Sequence, residues 1–332
     1  MKKKILITGG TGFIGSHLSE LFVKKGFKVS VFDRYNPNYN HGSLENSKYK
    51  TKIKFIFGDI RDYDSVNKAI KGNDIVIHLA ALIGIPYSYK SPLAYVETNI
   101  KGTYNVLESS KNLNLKKVII TSTSEVYGSA KYIPMDELHP LNPQSPYSAS
   151  KIAADNLALS YYYSFNLPVI LIRPFNTFGP RQSERAIIPT IINQILTSKK
   201  GVIKLGNLSP TRDFNFVDDI CDAFYKASLK KNILGETINI GTGKELSIKS
   251  IVQLISKIMN KKVLIRKENL RVRPKSSEVK RLCSSKSKAL KKLNWSSKHS
   301  NKKLFNQAII KTINYFIKLK EEKNNILKKY II

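Results

Sequence analysis

The pentapeptide Tyr147-Ser148-Ala149-Ser150-Lys151 places a phenol and an ammonium four residues apart. On a helix these groups share a face. A phenol titrates near pH ~10 in isolation, and a neighbouring cation favours its phenolate. Each unit of depression takes about 1.4 kcal/mol, within reach of a lysine together with a cationic ring. Such a tyrosine can take the proton of an alcohol while the carbinol carbon gives up a hydride. That chemistry needs a hydride acceptor. By itself the spacing is weak, because a chain with 17 tyrosines and many lysines produces it by chance.

The acceptor site is written near the N-terminus. Gly9-Gly10-Thr11-Gly12-Phe13-Ile14-Gly15 follows a β-branched run and opens an amphipathic stretch. Gly9 permits a tight turn, Gly12 lets the backbone approach a pyrophosphate, and Gly15 allows helix and strand to sit close. The N–H groups at the helix start, around Phe13 and Ile14, and the helix dipole favour a bound phosphate. Asp33 ends the second strand, eighteen residues after Gly15. A carboxylate there accepts ribose hydroxyls and repels a 2′-phosphate, which points to NAD. Arg34 follows it and partly offsets the repulsion, leaving NADP open.

These groups need a scaffold. Strands are expected over Lys4–Thr8, Lys28–Asp33, Ile53–Phe57, Ile75–His78, Val118–Thr121 and Val169–Arg173. Helices are expected over Ile14–Lys25 and near Tyr63–Ile70 and Pro92–Leu113. This alternation predicts an α/β fold, a Rossmann-like doubly wound parallel sheet, with a smaller α/β substrate-binding domain. The second half reads as helix over Pro189–Thr197, Val217–Ser228 and Ile248–Met259, and as strand over Val202–Leu205 and Thr237–Ile240. From Asn301 to Tyr330, Phe305, Ile309, Ile313, Phe316 and Ile317 recur at helical spacing opposite a Lys-rich face. That pattern predicts a packed C-terminal helix, with a membrane-surface helix as the alternative.

Composition narrows the class. The 332 residues suit one large or two smaller domains, and 42% apolar with 24% charged residues is globular. No run of eighteen apolar residues suggests a membrane span, and Met1-Lys2-Lys3-Lys4 is followed by too short an apolar stretch for a secretory signal. Cys221 and Cys283 form neither a disulfide framework nor a metal-ligand pattern, so a cytoplasmic location and no metal are expected. The net charge of +32 suggests a polyanionic partner. Only ten of the 56 basic residues are Arg, however, and base-edge and phosphate recognition lean on Arg. A Lys-rich solvated surface that binds neither nucleic acid nor membrane is the preferred reading.

Together these motifs resemble the extended short-chain dehydrogenase/reductase family, in its nucleotide-sugar branch, over nearly the whole chain. Gly58-Asp59-Ile60-Arg61-Asp62 resembles that family's adenine-contacting turn, which implies roles for Asp59 and Ile60. His78-Leu79-Ala80-Ala81 is similar to the loop under the cofactor, and Asn99 to the family's helix asparagine. Arg173-Pro174-Phe175-Asn176-Thr177-Phe178-Gly179-Pro180-Arg181 resembles the junction to the substrate domain, implying that Asn176 and Arg181 contact substrate. Arg212, in Thr211-Arg212-Asp213, and Arg273, in Arg271-Val272-Arg273-Pro274, are similar to the two diphosphate-binding arginines. For any single arginine the ordinary alternative is a surface ion pair of little worth.

Thr121-Ser122-Thr123-Ser124-Glu125-Val126-Tyr127-Gly128 sets the reaction class within that resemblance. Epimerases of the family usually have a small residue at position 125; 4,6-dehydratases have a carboxylate. The resemblance implies that Tyr147 and Lys151 serve oxidation at C4, with Thr123 on the O4 oxygen. Glu125 then takes the acidified C5 proton, and the C6 hydroxyl leaves as water. Hydride returns to C6. Ser124 replaces the acid many dehydratases have there, so the C6 hydroxyl is protonated through Ser124 or by Glu125 itself. The ordinary alternative for Glu125 is a turn cap, and for His78 and His139 a structural role.

Segments at 81–89, 182–190 and 273–279 are similar to the N-acetylglucosamine nucleotide 4,6-dehydratases of bacterial legionaminic acid biosynthesis, which implies a GDP- or UDP-GlcNAc substrate. A uronate decarboxylase or a 4-epimerase on the same scaffold is the runner-up. A non-catalytic NAD-sensing or RNA-binding protein is the third reading, resting on charge alone. The expected organisation is a cofactor domain over 1–173, with 217–243 returning to it, and a substrate domain over 174–216 and 244–332. Family analogy implies a homodimer through helices that include the Tyr147 helix.

Overall fold

The computed structural model describes residues 2–36, 40–269 and 272–329, with side chains up to residue 322. Its strands are β1 (Lys4–Thr8), β2 (Lys28–Arg34), β3 (Ile53–Gly58), β4 (Ile75–His78), β5 (Lys117–Thr121), β6 (Val169–Pro174), β7 (Thr177–Phe178), β8 (Val202–Leu205), β9 (Thr211–Arg212), β10 (Asn215–Phe216), β11 (Thr237–Ile240), β12 (Leu246–Ser247) and β13 (Leu264–Lys267). The helices are α1 (Phe13–Lys24), α2 (Tyr63–Ile70), α3 (Ile85–Ser88), α4 (Pro92–Tyr95), α5 (Gly102–Asn112), α6 (Pro146–Phe165), α7 (Ile187–Thr197), α8 (Val217–Leu229), α9 (Ile248–Ile258), α10 (Ser287–Leu293) and α11 (Lys302–Lys329).

Seven strands form one sheet in the order β3-β2-β1-β4-β5-β6-β11, every pair parallel. Alternation with period two explains why it is covered on both faces. Ile5, Ile7, Ile75, Ile77, Ile119, Ile170 and Ile172 point to one core, shared with Leu18 and Phe22 of α1 and Ile220 and Phe224 of α8. Leu6, Val76, Val118, Ile120, Val169 and Leu171 point to the other, under Val66 of α2, Val106 of α5 and Ala158 of α6. Each such side chain contributes about 1.5–3 kcal/mol of burial. Strand order reverses between β1 and β4, the doubly wound Rossmann-like arrangement, which puts the Gly9–Gly15 turn at the switch point where sheets of this kind bind ligands.

Within the span 92–113, read from sequence as one helix, α4 and α5 are separated by a π-helical turn at Val96–Lys101. The extra residue per turn carries Asn99 inward, and such bulges recur at functional sites. Helix α6 starts on Ser145, whose side chain accepts from Ser148 N at 3.1 Å, with Pro146 at its first position. It stops at Asn166 in the left-handed conformation. Buried Lys117 donates to the carbonyls of Ala227, Ser228 and Lys230, capping α8.

Beyond β6 the chain builds three small pairs, β7 with β10, β8 with β13 and β9 with β12, among α7, α9, α10 and α11. Two-residue strands are too short to leave a sequence pattern, which is why β7, β9, β10 and β12 were not expected. Ala308, Ile309, Thr312, Ile313 and Phe316 bury one face of α11, leaving the membrane-surface alternative without its apolar face. Tyr330, the expected end of that helix, lies outside the described residues.

Candidate active site

The glycine turn is a close fit. Gly9 has φ +69°, and a Cβ there would lie 2.9 Å from Ala80 N. A Cβ on Gly15 would lie 2.1 Å from Gly9 O, so only glycine lets α1 start there. Gly12 takes the N-cap position of α1 with no side-chain cap and no acid in the first turn, leaving the early N–H groups, with Phe13 and Ile14, for an anion. Asp33 Oδ2 accepts from Thr11 N (2.9 Å) and Thr11 Oγ1 (2.5 Å), while Oδ1 accepts from Arg34 N at 2.9 Å. Asp59 is forked onto Arg61, which holds its carboxyl below the usual range. Ile60 is buried, and its carbonyl accepts from Asn105 Nδ2 at 3.0 Å.

The loop Leu79–Ala80–Ala81 is fixed from below by a relay. Thr103 Oγ1 donates to Asn99 O (2.6 Å), so His78 Nε2 must donate to Thr103 (3.2 Å) and His78 Nδ1 accept from Thr8 Oγ1 (2.8 Å). Thr8 Oγ1 in turn accepts from Leu79 N and Ala80 N, both at 3.2 Å. Burial and the charge of Lys151 push His78 down to about 3, so it is a neutral strut rather than an acid–base group. Asn99 binds Leu82 through both backbone groups (2.8 and 3.0 Å) and donates to Ser150 Oγ at 2.9 Å, tying this loop to α6.

At the end of β5, Thr123 caps a 3-10 turn over Ser124–Tyr127, its hydroxyl accepting from Glu125 N at 3.3 Å. Ser124 and Glu125 are buried there. Tyr147 comes from the start of α6, with its phenol toward the Thr123 hydroxyl and near enough to Glu125 to feel its charge. Tyr95 stacks edge-on against the Tyr147 ring, centroids 6.2 Å apart, and is anchored by its own bond to Gly84 O. Lys151 Nζ donates to Thr121 O at 2.7 Å. The Tyr147 phenol is pushed well above its ordinary value, because burial outweighs the help from Thr123 and the Glu125 and Asp155 charges oppose ionisation.

Facing this floor are the arms of the second half. Arg273 Nη1 lies 3.8 Å from Glu125 Oε2, and Arg212 Nη2 3.8 Å from Glu278 Oε1. Burial lowers the Arg212 guanidinium's affinity for its proton, and the Arg273 charge adds to that while Glu125 and Glu278 oppose it. Arg273 Nη1 and Asn176 Oδ1 are buried with no hydrogen-bond partner among the described residues. A diphosphate supplies acceptors for the first, and a hydroxyl-bearing sugar a donor for the second. Arg212 is held in place by its neighbour Asp213, which accepts from Thr242 N, Thr242 Oγ1, Gly243 N and Ser284 N at 2.6–3.1 Å. Arg181 is elsewhere: it is forked onto Glu20 of α1 at 2.9 and 3.0 Å. Arg271 lies outside the described residues.

The structure therefore brings Thr123, Ser124, Glu125, Tyr147 and Lys151 to one floor, with Arg212 and Arg273 over it and the glycine turn alongside. Tyr95, Asp213 and Glu278 were not singled out from sequence. Asp213, next to a matched arginine, and Glu278, inside the matched segment 273–279, left a signal that could have found them; Tyr95 left none. Among the described residues there is no cluster that could hold a metal.

Comparison with known proteins gives the following. A family model described as GDP-mannose 4,6 dehydratase matches residues 6–308. The chain is 41% identical over 271 residues to a dTDP-D-glucose 4,6-dehydratase of Dictyostelium discoideum, covering 77% of this chain and 62% of that protein's length. It is 35% identical over 268 residues to a UDP-N-acetyl-alpha-D-glucosaminuronate decarboxylase of Bacillus cytotoxicus, covering 78% and 81% respectively. Its fold matches the crystal structure of a UDP-glucuronic acid 4-epimerase from Bacillus cereus in complex with UDP-glucuronic acid and NAD, with TM-score 0.85, 32% identity, and 95% and 99% of the two chains covered.

Proposed function

The chain belongs to the GDP-mannose 4,6 dehydratase family, and from that premise we propose that it is an NAD-dependent nucleotide-sugar 4,6-dehydratase, a hydro-lyase yielding a 4-keto-6-deoxy sugar. The single observation that carries this reading is Glu125, a buried carboxylate on the Thr123 turn, beside the Tyr147 phenol and against Arg273. Oxidation alone needs only one proton-transfer group. A second one facing the same ring is what elimination of water requires.

The glycine turn, Asp33, Asp59, Ile60, the Leu79–Ala81 loop, Asn99, Tyr147 and Lys151 are the residues we assign to NAD. When bound at these residues, NAD would supply the hydride acceptor and donor that oxidation at C4 and reduction at C6 need, and its cationic ring would favour the Tyr147 phenolate. Tyr147 Oη takes the O4 proton, while Thr123 Oγ1 hydrogen-bonds O4. The Lys151 ammonium steadies the phenolate. Glu125 takes the C5 proton, now acidified by the C4 ketone. The C5–H and C6–O bonds break, and the hydroxyl leaves as water with a proton from Glu125 or through Ser124; as hydride reaches C6, C5 regains a proton, which balances the one Tyr147 took from O4 and resets the phenolate. Arg212, Arg273 and Asn176 hold the diphosphate and sugar; Arg181 is assigned instead to joining the hinge to α1.

Within this class we assign an N-acetylglucosamine nucleotide, GDP- or UDP-linked, and a place in legionaminic acid biosynthesis, on the segments at 81–89, 182–190 and 273–279. The substrate domain is assigned to 174–216 and 244–332, and the pairing of β11 with β6 supports the return of 217–243 to the cofactor domain. Exposed Leu93, Val96 and Tyr104 near α4 and α5, with Tyr163 and Phe165 on α6, support a homodimer through these helices. The free, buried Cys221 and Cys283 support a reducing, cytoplasmic compartment.

The test is turnover against a panel of GDP-, UDP- and dTDP-sugars, read by mass spectrometry. Loss of one water from an NDP-hexose is expected. A 4-epimer of unchanged mass, or carbon dioxide from an NDP-hexuronate, would favour the second reading, for which the epimerase and decarboxylase relatives speak.

A further inference from the structure

Beneath the pocket floor runs a buried polar chain that the reaction above does not use. Asp155 lies on α6 one turn beyond Lys151 and two beyond Tyr147, so the three side chains leave one helix face. Asp155 Oδ2 accepts from Ser122 Oγ (2.6 Å), Arg173 Nε (3.1 Å) and Arg173 Nη2 (2.9 Å). Asp155 Oδ1 is buried with no hydrogen-bond partner among the described residues. Arg173 Nη1 continues to Tyr127 Oη at 2.9 Å, and Tyr127 closes the turn that carries Thr123 and Glu125. Asp155, Arg173 and Tyr127 are all at most 4% exposed.

A buried ion pair is weak support for stability, since desolvation offsets much of its attraction. Its neighbour supplies a reason for it. Lys151 is buried, and its ammonium donates to a neutral carbonyl, Thr121 O. Burial drives that group toward the neutral amine, and the Asp155 charge opposes the drift. Arg173 and Ser122 both bind Oδ2, which leaves Oδ1 without a hydrogen-bond partner among the described residues while the carboxylate as a whole is paired with Arg173.

We propose that Asp155 is the positioning residue for Lys151: its carboxylate, held by Arg173 and Ser122, keeps Lys151 an ammonium beneath Tyr147 and ties that helix to the Glu125 turn. The other groups facing α6 do not replace it. His78 on β4 is neutral, and Tyr95 on α4 is an un-ionised phenol bound to Gly84 O. Glu97 and Lys101 on the π turn pair with each other, as do Glu108 and Lys111 on α5, where Glu108 also accepts from Tyr161. Glu125 on the catalytic turn faces Arg273.

The inference rests on the NAD-dependent reading. The experiment measures NAD affinity by calorimetry, and turnover, from pH 6 to 10 for wild type, Asp155→Asn and Asp155→Glu. In Asp155→Asn, Lys151 gives up its proton at lower pH, so the alkaline fall in NAD affinity moves down by about one unit or more. The acid limb of turnover moves down as well, because the same charge raises Tyr147. Asp155→Glu restores both limbs. Loss of amplitude with unmoved limbs would overturn the proposal, since a merely structural residue does that. Should Asp155→Asn fail to fold, the double variant Asp155→Asn/Arg173→Gln removes both charges, and the same downward shift is expected at smaller size; unmoved limbs there would also overturn it. A wild type that binds no NAD would overturn the cofactor reading and this inference together.

Discussion

Tyr147 shows how a residue's spacing and its surroundings argue different things. The four-residue step to Lys151 puts both groups on one face of α6, and that much is legible in sequence. The depth of the pocket is not, because it is set by Tyr95 and by the Leu82–Ile85 loop, far away in the chain. Burial raises the phenol, so the proposed base depends on nearby positive charge to stabilise its anion. Two predictions belong here. Tyr147→Phe should retain NAD and lose turnover by about 10²–10⁴, checked by steady-state rates and calorimetry. Glu125→Gln should oxidise C4 yet release no water; trapped NADH absorbance at 340 nm would rise without product, whereas normal product would remove Glu125 from its role. Arg212 and Arg273 were legible because they sit inside matched motifs. Arg181, in a matched motif too, is bound by Glu20 instead, since sequence order does not reveal which face of the hinge a side chain takes.

At the scale of elements, short near-continuous apolar runs carried the central sheet. β1, β4 and the crossover helices were readable because each strand buries both faces and each helix one. The π turn at Val96–Lys101 was not, since its cause is a tertiary bond from Asn99 to Leu82 rather than a local propensity. The Gly9–Gly15 turn makes the sharpest prediction about an element. A methyl at position 15 meets Gly9 O at 2.1 Å, which backbone atoms cannot relieve without moving the start of α1. Gly15→Ala should weaken NAD binding by at least about tenfold and lower the melting temperature. Unchanged affinity would show that the turn does not set the phosphate site.

Over the whole molecule, the positive charge is carried by a Lys-rich surface while the buried polar groups set the pH response. His78 sits between Thr8 and Thr103 and stays neutral down to about 3, against an ordinary 6.5. Between those values the unfolded chain takes up a proton that the fold rejects, so stability is lost as pH falls through this window. The slope from this group is at most about 1.4 kcal/mol per pH unit. His78→Gln should flatten that part of the curve in urea titrations from pH 6.5 to 4, even if it lowers the plateau; an unchanged slope would mean that other groups govern acid unfolding. In the proposed reaction one hydride is lifted from the sugar and put back within a single turnover, with Glu125 removing a proton in between. The most direct measurement uses an NDP-hexose deuterated at C4, mixed with unlabelled substrate, with product analysed by mass spectrometry and NMR. Deuterium is expected at C6 of the 4-keto-6-deoxy product, within the same molecule that carried it. Deuterium retained at C4, or lost to solvent, would contradict it.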